Sequence, residues 1–479
     1  MMIVLSLLTQ VLTIAKTSLV AGTFGLSTEM DAYNFANSII SLLFGLFAGG
    51  IPTIVIPSYV KNEDRKNIDG FLTLIYGALL IFIAFILIFR YQIVGLFSNR
   101  NEMFINVVCN VLLILFFAQY FMSLTEIVVA YFQCKNKYNL PKIISLFSQL
   151  IVVGALLINK NLSIYEYTFI VGFGMIFNFI VDMFLALKYG WRYKPNVNLK
   201  NKEVIKLLKI FLPIVLSCSV YNISLFIDST IASRLTVGKL SILSYSNQIS
   251  GIINTVLLGN LTTYIYPKII SKIDENEQFY FWDKSFLFHA IVVLITVGFI
   301  VIGKEGISLL FEHGSFDSYA TSSVFIGTII YILGMQTNII RDLIYRFFYA
   351  IGDTRTPATN SIYVSILNMI ISIILVYLIG FYGIIVGTIV ASFFSLIFIL
   401  IKFNKKIGIN FSKRKILVSY LKNILVGILT LVIVILTKIF FPIDSKLLSI
   451  FIYGIETVIV YIFICFIISK NILNSLKTL

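Results

Sequence analysis

The stretch "YRFFYAIGDTRTPATNS" (Tyr345–Ser361) sets a charged, proline-bearing turn between two long apolar runs. A hydrocarbon core of ~30 Å is crossed by ~20 apolar residues in a helix, and each flank supplies about that many. Asp353, Arg355 and Pro357 therefore read as an elbow at a membrane face. The proline disfavours helix in the residue before it, and the charges hold the turn among headgroups. A second stretch, "AYFQCKNKYNLPKIIS" (Ala130–Ser145), has the same layout. A shift of 216 residues lays Tyr131 and Phe132 on Phe347 and Phe348, Pro141 on Pro357, and Glu126 on Asp342. A shift of 210 matches Gly49 with Gly259, Thr53 with Thr263 and Pro57 with Pro267.

Working outward, similar apolar runs recur along all 479 residues, and fourteen spans are expected between residues 2 and 469. The chain is 59% hydrophobic and only 12% charged, half the ~25% charge of a soluble domain. The expected fold is an all-α integral membrane protein; a β-barrel would instead alternate over ~10-residue segments. The two offsets occur in the same order, which divides the chain into two six-helix lobes. Residues 1–188 form one lobe and 205–403 the other, joined by a cytoplasmic linker, 189–204, with two further spans in 404–479. An even number of spans per lobe makes the repeat parallel, a pattern typical of transporters with the substrate site between the halves.

The net charge of +15 does not point to nucleic acid, because the basic residues sit in short loops between spans. With both termini in the cytoplasm, 28 of the 37 Lys and Arg fall inside and 8 outside, leaving Lys16 within a span. This bias orients the chain. Cys109, Cys134, Cys218 and Cys465 have no metal or redox spacing and are expected to pack. No metal or cofactor is expected, and no cleavable leader stands out, since the first run contains Lys16 and leads straight into more membrane sequence. The chain is expected to be a monomer.

Polar stripes at helical spacing mark four spans. Span 1 carries Thr9, Thr13, Lys16 and Thr23; span 2 carries Asn34, Asn37, Ser41, Gly45 and Gly49. Span 7 carries Ser217, Tyr221, Ser224 and Asp228; span 8 carries Ser244, Asn247, Gly251 and Asn254, with Gln248 adjacent. These are the first two spans of each lobe, so the stripes are expected to line a water-accessible chamber. The plainer alternative for any single Ser, Thr or Asn is helix–helix hydrogen bonding. Lys16 and Asp228 differ, because an ion at mid-membrane costs ~3 kcal/mol or more. Glu126, Asp182, Arg341 and Asp342 lie nearer the cytoplasmic ends and are expected to form structural pairs or to snorkel toward the headgroups.

"VLTIAKTSLVAGTFGLSTEMDAYNFANSIISLLFGLFAGGIPTIVIPSYVK" (Val11–Lys61) resembles the opening block of the MurJ/MviN family, the bacterial lipid II flippases. The segment from Phe347 through "GDTRTPATNS" resembles the same family's loop between helices 10 and 11. The resemblance implies the MOP exporter superfamily: two lobes, alternating access and a bacterial cytoplasmic-membrane location. It also implies a polyprenyl-pyrophosphate-linked saccharide as substrate, contacted by Lys16, Thr13, Asn34, Asn37, Ser41, Asn247, Gln248 and Asn254. Family cavity arginines are replaced: Gln10 and Lys16 stand at the two helix 1 positions, Phe44 at the helix 2 position, and Gln248, in "YSNQI", at the span 8 position. The substrate thus stays open between lipid II and another polyprenyl-linked glycan. The resemblance further implies a cation site at Asp228, Asn368, Ser372 and Thr388, coupling transport to sodium or protons. Capsule or O-antigen exporters and multidrug antiporters of the superfamily are rival readings. A membrane-embedded glycan polymerase or ligase would need a catalytic outside loop, for which "FEHGSFD" (Phe311–Asp317) is a weak candidate.

Overall fold

The computed structural model describes residues 2–48, 51–60, 65–159, 161–197, 201–255, 278–407 and 413–468. Hydrocarbon offers no hydrogen-bond partner, so the backbone must satisfy itself, and helices do so within one segment. Among the described residues the chain forms sixteen helices. The first ten are α1 (Met2–Phe24), α2 (Thr28–Ala48), α3 (Ile51–Val60), α4 (Arg65–Ile88), α5 (Arg90–Phe97), α6 (Glu102–Cys134), α7 (Asn139–Ile158), α8 (Ile164–Lys188), α9 (Lys202–Ser233) and α10 (Lys239–Ile253). They are followed by α11 (Gln278–Phe311), α12 (Ser318–Ala350), α13 (Arg355–Ile379), α14 (Tyr382–Ile407), α15 (Lys413–Phe440) and α16 (Lys446–Ile468).

Among the described residues, eleven helices are long and apolar enough to cross a membrane. The expected second span appears as α2 plus α3, and the third as α4 plus α5. The eighth begins as α10, and its second half, including the Gly259, Thr263 and Pro267 matches, lies outside the described residues.

Contacts group residues 1–241 into one compact unit and 242–479 into another. In the first, α6 packs along α2, α3 and α8, while α9 packs on α2 and α4 and α1 on α7. Large side chains fill the interior, among them Phe35, Phe71, Phe104, Phe116 and Phe132, all fully buried. The segment after α8 is strapped across this unit. Trp191 is buried and donates its indole N–H to Tyr59 Oη at 3.3 Å. The Lys194 N–H donates to Asp69 Oδ2 at 3.1 Å, and the Asn196 N–H to Thr73 Oγ1 at 3.2 Å. Thus the polar linker binds the membrane domain along α4.

In the second unit α11 packs on α12, α15 and α16, and α14 on α12 and α13. Aromatic residues dominate one core cluster, with Phe281, Trp282, Phe288, Phe347, Phe348 and Phe403 buried together. The α13–α14 hairpin is close-set: a Cβ added at Gly387 would lie 2.4 Å from Ser372 Oγ. Small residues serve this purpose between membrane helices, where contact distance sets the dispersion gain.

The two elbows are copies in atomic detail. The Lys137 N–H donates to Phe132 O at 2.9 Å and the Asn136 N–H to Gln133 O at 3.0 Å. At a shift of 216 the Asp353 N–H donates to Phe348 O at 2.9 Å and the Gly352 N–H to Tyr349 O at 3.1 Å. Each is a Schellman cap, with a left-handed residue after the helix: Asn136 at φ 57° and Gly352 at φ 76°. The helix ends Cys134 and Ala350, and the starts Asn139 and Arg355, obey the same shift. Asp353 adds a second role. It accepts from Lys406 Nζ at 2.8 Å and from the Thr356 N–H at 3.0 Å, closing the start of α13.

A left-handed non-glycine residue carries a strain on the order of 1 kcal/mol. Gly352→Ala is expected to lower thermal stability of the detergent-solubilised protein by about that amount, whereas Asn136→Gly is expected to leave it equal or higher. The Lys406 ammonium and the Thr356 N–H hold the Asp353 carboxyl down at about 2. Its folded value lies below the ordinary ~3.9, so its contribution is present above that pH and fades as pH falls toward 2. Thermal melts over this interval are expected to steepen for wild type relative to Asp353→Asn.

Candidate functional site

The first-unit part of the expected substrate site is built from α1 and α2. Lys16 is the only charged residue of α1 and is half-buried. It makes no ion pair among the described residues. The threonines of this helix bond their own backbone: Thr13 Oγ1 donates to Thr9 O at 2.9 Å, as Thr9 does to Leu5 O at 2.8 Å. On α2, Asn34 is buried, but Asn37 and Ser41, one turn apart, are exposed. An exposed amide in mid-helix is not acting as interhelical glue, and it is poorly matched to lipid tails, so this side of α2 suits water.

In the second unit, Asn247 and Gln248 of α10 are half-buried and Asn254, just beyond it, is exposed. Neighbouring Ser246 turns inward, donating to Val324 O of α12 at 3.2 Å. Phe44, standing where the resemblance places an arginine, is buried against Phe116 with ring centroids 6.3 Å apart. That position belongs to the core of the unit. Gly49 lies outside the described residues, as do the side chains of Ser217 and Tyr221.

Of the expected cation ligands, three gather in the second unit. Ser372 Oγ donates to Asn368 Oδ1 at 3.1 Å and to Ile384 O at 3.3 Å, and Thr388 Oγ1 reaches the same Ile384 O at 3.3 Å. Asn368 and Ser372 are buried. Asp228 is buried on α9 in the first unit. Arg341 and Asp342 pair at 3.3 Å as expected. Asp182 departs from that expectation: it is fully buried and neither carboxylate oxygen has a hydrogen-bond partner among the described residues. The described cysteines Cys109, Cys134 and Cys465 are free.

Among the described residues one buried charge is densely bonded at a position that carries no role in the sequence pattern. Asp31, in the first turn of α2, is fully buried and ion-pairs with Arg100 at 2.8 Å. Its oxygens also accept from the Gly238 N–H at 2.8 Å, the Ser241 N–H at 2.8 Å and Ser241 Oγ at 2.7 Å. These N–H groups open α10, so a carboxylate from another helix acts as its N-cap, where the helix dipole favours negative charge. Arg100 in turn donates to Ser233 O at 2.8 Å and to Thr236 O at 3.1 Å at the end of α9. Arg234 answers from the other side, donating to Phe97 O and Leu96 O, each at 3.2 Å. The result is a clasp joining the start of α2, the turn before α6 and the α9–α10 turn. One signal for it was present: the 210-residue offset lays Asp31 on Ser241, the two residues that meet.

The lipid II flippase MurJ family profile matches residues 20–454, nearly the whole chain. The chain belongs to the MurJ family. Curated MurJ relatives include a probable lipid II flippase of Buchnera aphidicola subsp. Baizongia pistaciae, 25% identical over 397 residues, covering 78% of this chain and 77% of the relative. Another is from Rickettsia prowazekii, 23% identical over 414 residues, covering 82% and 80%. Among solved structures, a lipid II flippase MurJ in an inward closed conformation superposes with TM-score 0.84 at 22% identity, covering 98% of this chain and 99% of that one. An inward-facing multidrug MATE transporter of the MOP superfamily aligns at TM-score 0.66 and 13% identity, covering 84% and 94%. The fold of this MurJ-family chain is thus the one shared by these MurJ and MATE structures, in a multi-pass membrane protein.

Removing one partner of a buried ion pair strands the other, at a cost of about 3–5 kcal/mol. Arg100→Ala is expected to lower the melting temperature sharply, and the double variant Asp31→Asn/Arg100→Ala to lose less than the sum of the singles. A double-mutant cycle on purified protein measures this coupling; strict additivity would show that the pair carries none.

Proposed function

We propose that the protein flips a polyprenyl-pyrophosphate-linked saccharide, a lipid II-type cell-envelope precursor, across the bacterial inner membrane by alternating access, without altering it chemically. The observation that carries this reading is the match of residues 20–454 to the lipid II flippase family. Both termini lie in the cytoplasm, as the distribution of Lys and Arg favours.

In this mechanism Lys16 offsets the diphosphate charge. A half-buried ammonium without an ion-pair partner among the described residues is electrostatically costly until an anion arrives, which makes it a suitable receptor. Lysine binds phosphate as a point charge, without the two-pronged grip of arginine. Thr13, Asn34, Asn37 and Ser41 contribute polar contacts from the first unit, and Asn247, Gln248 and Asn254 from the second. The lipid tail remains in the bilayer. Asp228, Asn368, Ser372 and Thr388 bind a sodium ion or proton that biases the cycle; one carboxylate with neutral oxygens suits a monovalent cation. The protein works as a monomer.

A second substrate reading rests on Gln248, which stands where the resemblance places an arginine and favours a different polyprenyl-linked glycan of the same chemistry. Complementation of a strain depleted of its lipid II flippase separates the two. Growth identifies the peptidoglycan precursor, whereas failure with good membrane expression identifies another glycan. Under either substrate, Lys16→Gln is expected to insert normally and lose transport, and transport at the wild-type rate would remove Lys16 from the mechanism.

A further inference from the structure

We propose that the first unit carries a monovalent-cation site of its own, in which a proton or sodium ion is held by Asp182 of α8 with the oxygens of Asn178 and Thr125. The inference concerns binding, and stands whichever lipid-linked substrate is carried.

Asp182 has no exposed surface, and both of its carboxylate oxygens lack a hydrogen-bond partner among the described residues. An isolated carboxylate anion is not tolerated in such a place: it takes up a proton or gains a counter-ion. Its surroundings are rich in unsatisfied oxygen. Asn178 lies one turn earlier on the same face of α8 and is buried, and its Oδ1 also has no partner. Its amide nitrogen reaches only Met122 Sδ, at 3.5 Å. Thr125 of α6 is buried, with an Oγ1 that has no hydrogen-bond partner among the described residues. Thr168, Thr328 and Thr430, equally buried, each donate to the carbonyl four residues back. Thr125 forgoes that bond.

The packing brings these groups to one level. A Cβ at Gly172 would lie 3.2 Å from Ala118 Cβ, and Asn178 meets Met122, so α8 and α6 run side by side in the same direction. One turn further along, Asp182 comes level with the α6 turn holding Thr125 and Glu126. On the other side α7 closes against α8, where Ser148 Oγ donates to Gly174 O at 2.6 Å.

The ionisable groups on the helices packed around α8 leave Asp182 uncompensated. Glu126 and Tyr131 come from α6, exposed Lys142 from α7, and exposed Lys188 from α8 itself. The ionisable residues of α2, Glu29, Asp31 and Tyr33, belong to its first two turns, where the Tyr33 ring meets Tyr167 at the far end of α8 at a tilt of 55°. None forms an ion pair with Asp182. The donor set is one carboxylate, one amide oxygen and one hydroxyl. All are hard oxygens with a single negative charge, which fits a proton or a sodium ion; a divalent ion asks for more carboxylates.

The test is infrared difference spectroscopy on the full chain in lipid nanodiscs, with pH steps and sodium additions. The expected result is a protonated-carboxyl stretch that is missing in Asp182→Asn. A proton site loses that band when pH is raised, with no response to sodium. A sodium site loses it when sodium is added at fixed pH. Asn178→Leu keeps the carboxyl and is expected to shift the band, so the assignment does not depend on the folding of Asp182→Asn. If no such band responds to pH or sodium at any pH where the protein stays folded, the Asp182 carboxyl keeps a single protonation state without exchanging an ion, and the proposal fails.

Discussion

The constraint behind the whole structure is that lipid tails accept and donate no hydrogen bonds, so each polar atom in a span must find its partner within the protein. The backbone answers by forming helices. Most hydroxyls answer by bonding the carbonyl of the preceding turn, as Thr9, Thr13 and Thr17 do along α1. Asn360 answers with three contacts at once, to Tyr345 Oη, Ser395 O and Ser395 Oγ. Against this background Asp182 stands out, with neither carboxylate oxygen answered among the described residues.

The same constraint explains how the chain turns at its membrane faces. Each elbow satisfies the last carbonyls of one helix with a Schellman cap and restarts the next helix within a few residues. The capped ends need no lipid or water partner, so the turns can lie in the headgroup zone. Asp31 meets the requirement differently, by bringing a carboxylate to the open N–H groups of α10 while Arg100 neutralises it. Its position ties the start of α2 and the turn before α6 to the α9–α10 turn within the first unit.

Much of this was legible in the sequence. Long apolar runs identified the helices, because hydrocarbon thickness sets their length. The 216-residue offset located the two elbows to the residue, because turn chemistry is local and Gly352 and Asn136 both tolerate left-handed backbone. The exposed polar side of α2, at Asn37 and Ser41, was legible from helical spacing. What escaped was long-range. Nothing local distinguishes Asp31 from any helix-opening acid, or Arg100 from any loop cation, since their meaning comes from each other across a long separation in the chain. Asp182 escaped for the opposite reason. Pairing or snorkelling was expected for it, and only packing reveals that it is fully buried and that α6 and α7 bring it no partner. Phe44, aligned with a cavity position, proved to be core.

The central claim is translocation of a lipid-linked saccharide without chemical change. Reconstitution of the purified chain in vesicles with a fluorescently labelled polyprenyl-pyrophosphate saccharide measures it directly, by following access of a membrane-impermeant quencher to the label. The account expects the accessible fraction to change only when the protein is present, with the recovered lipid identical to that supplied. An unchanged accessible fraction with correctly folded protein, or recovery of a new glycan product, would contradict it.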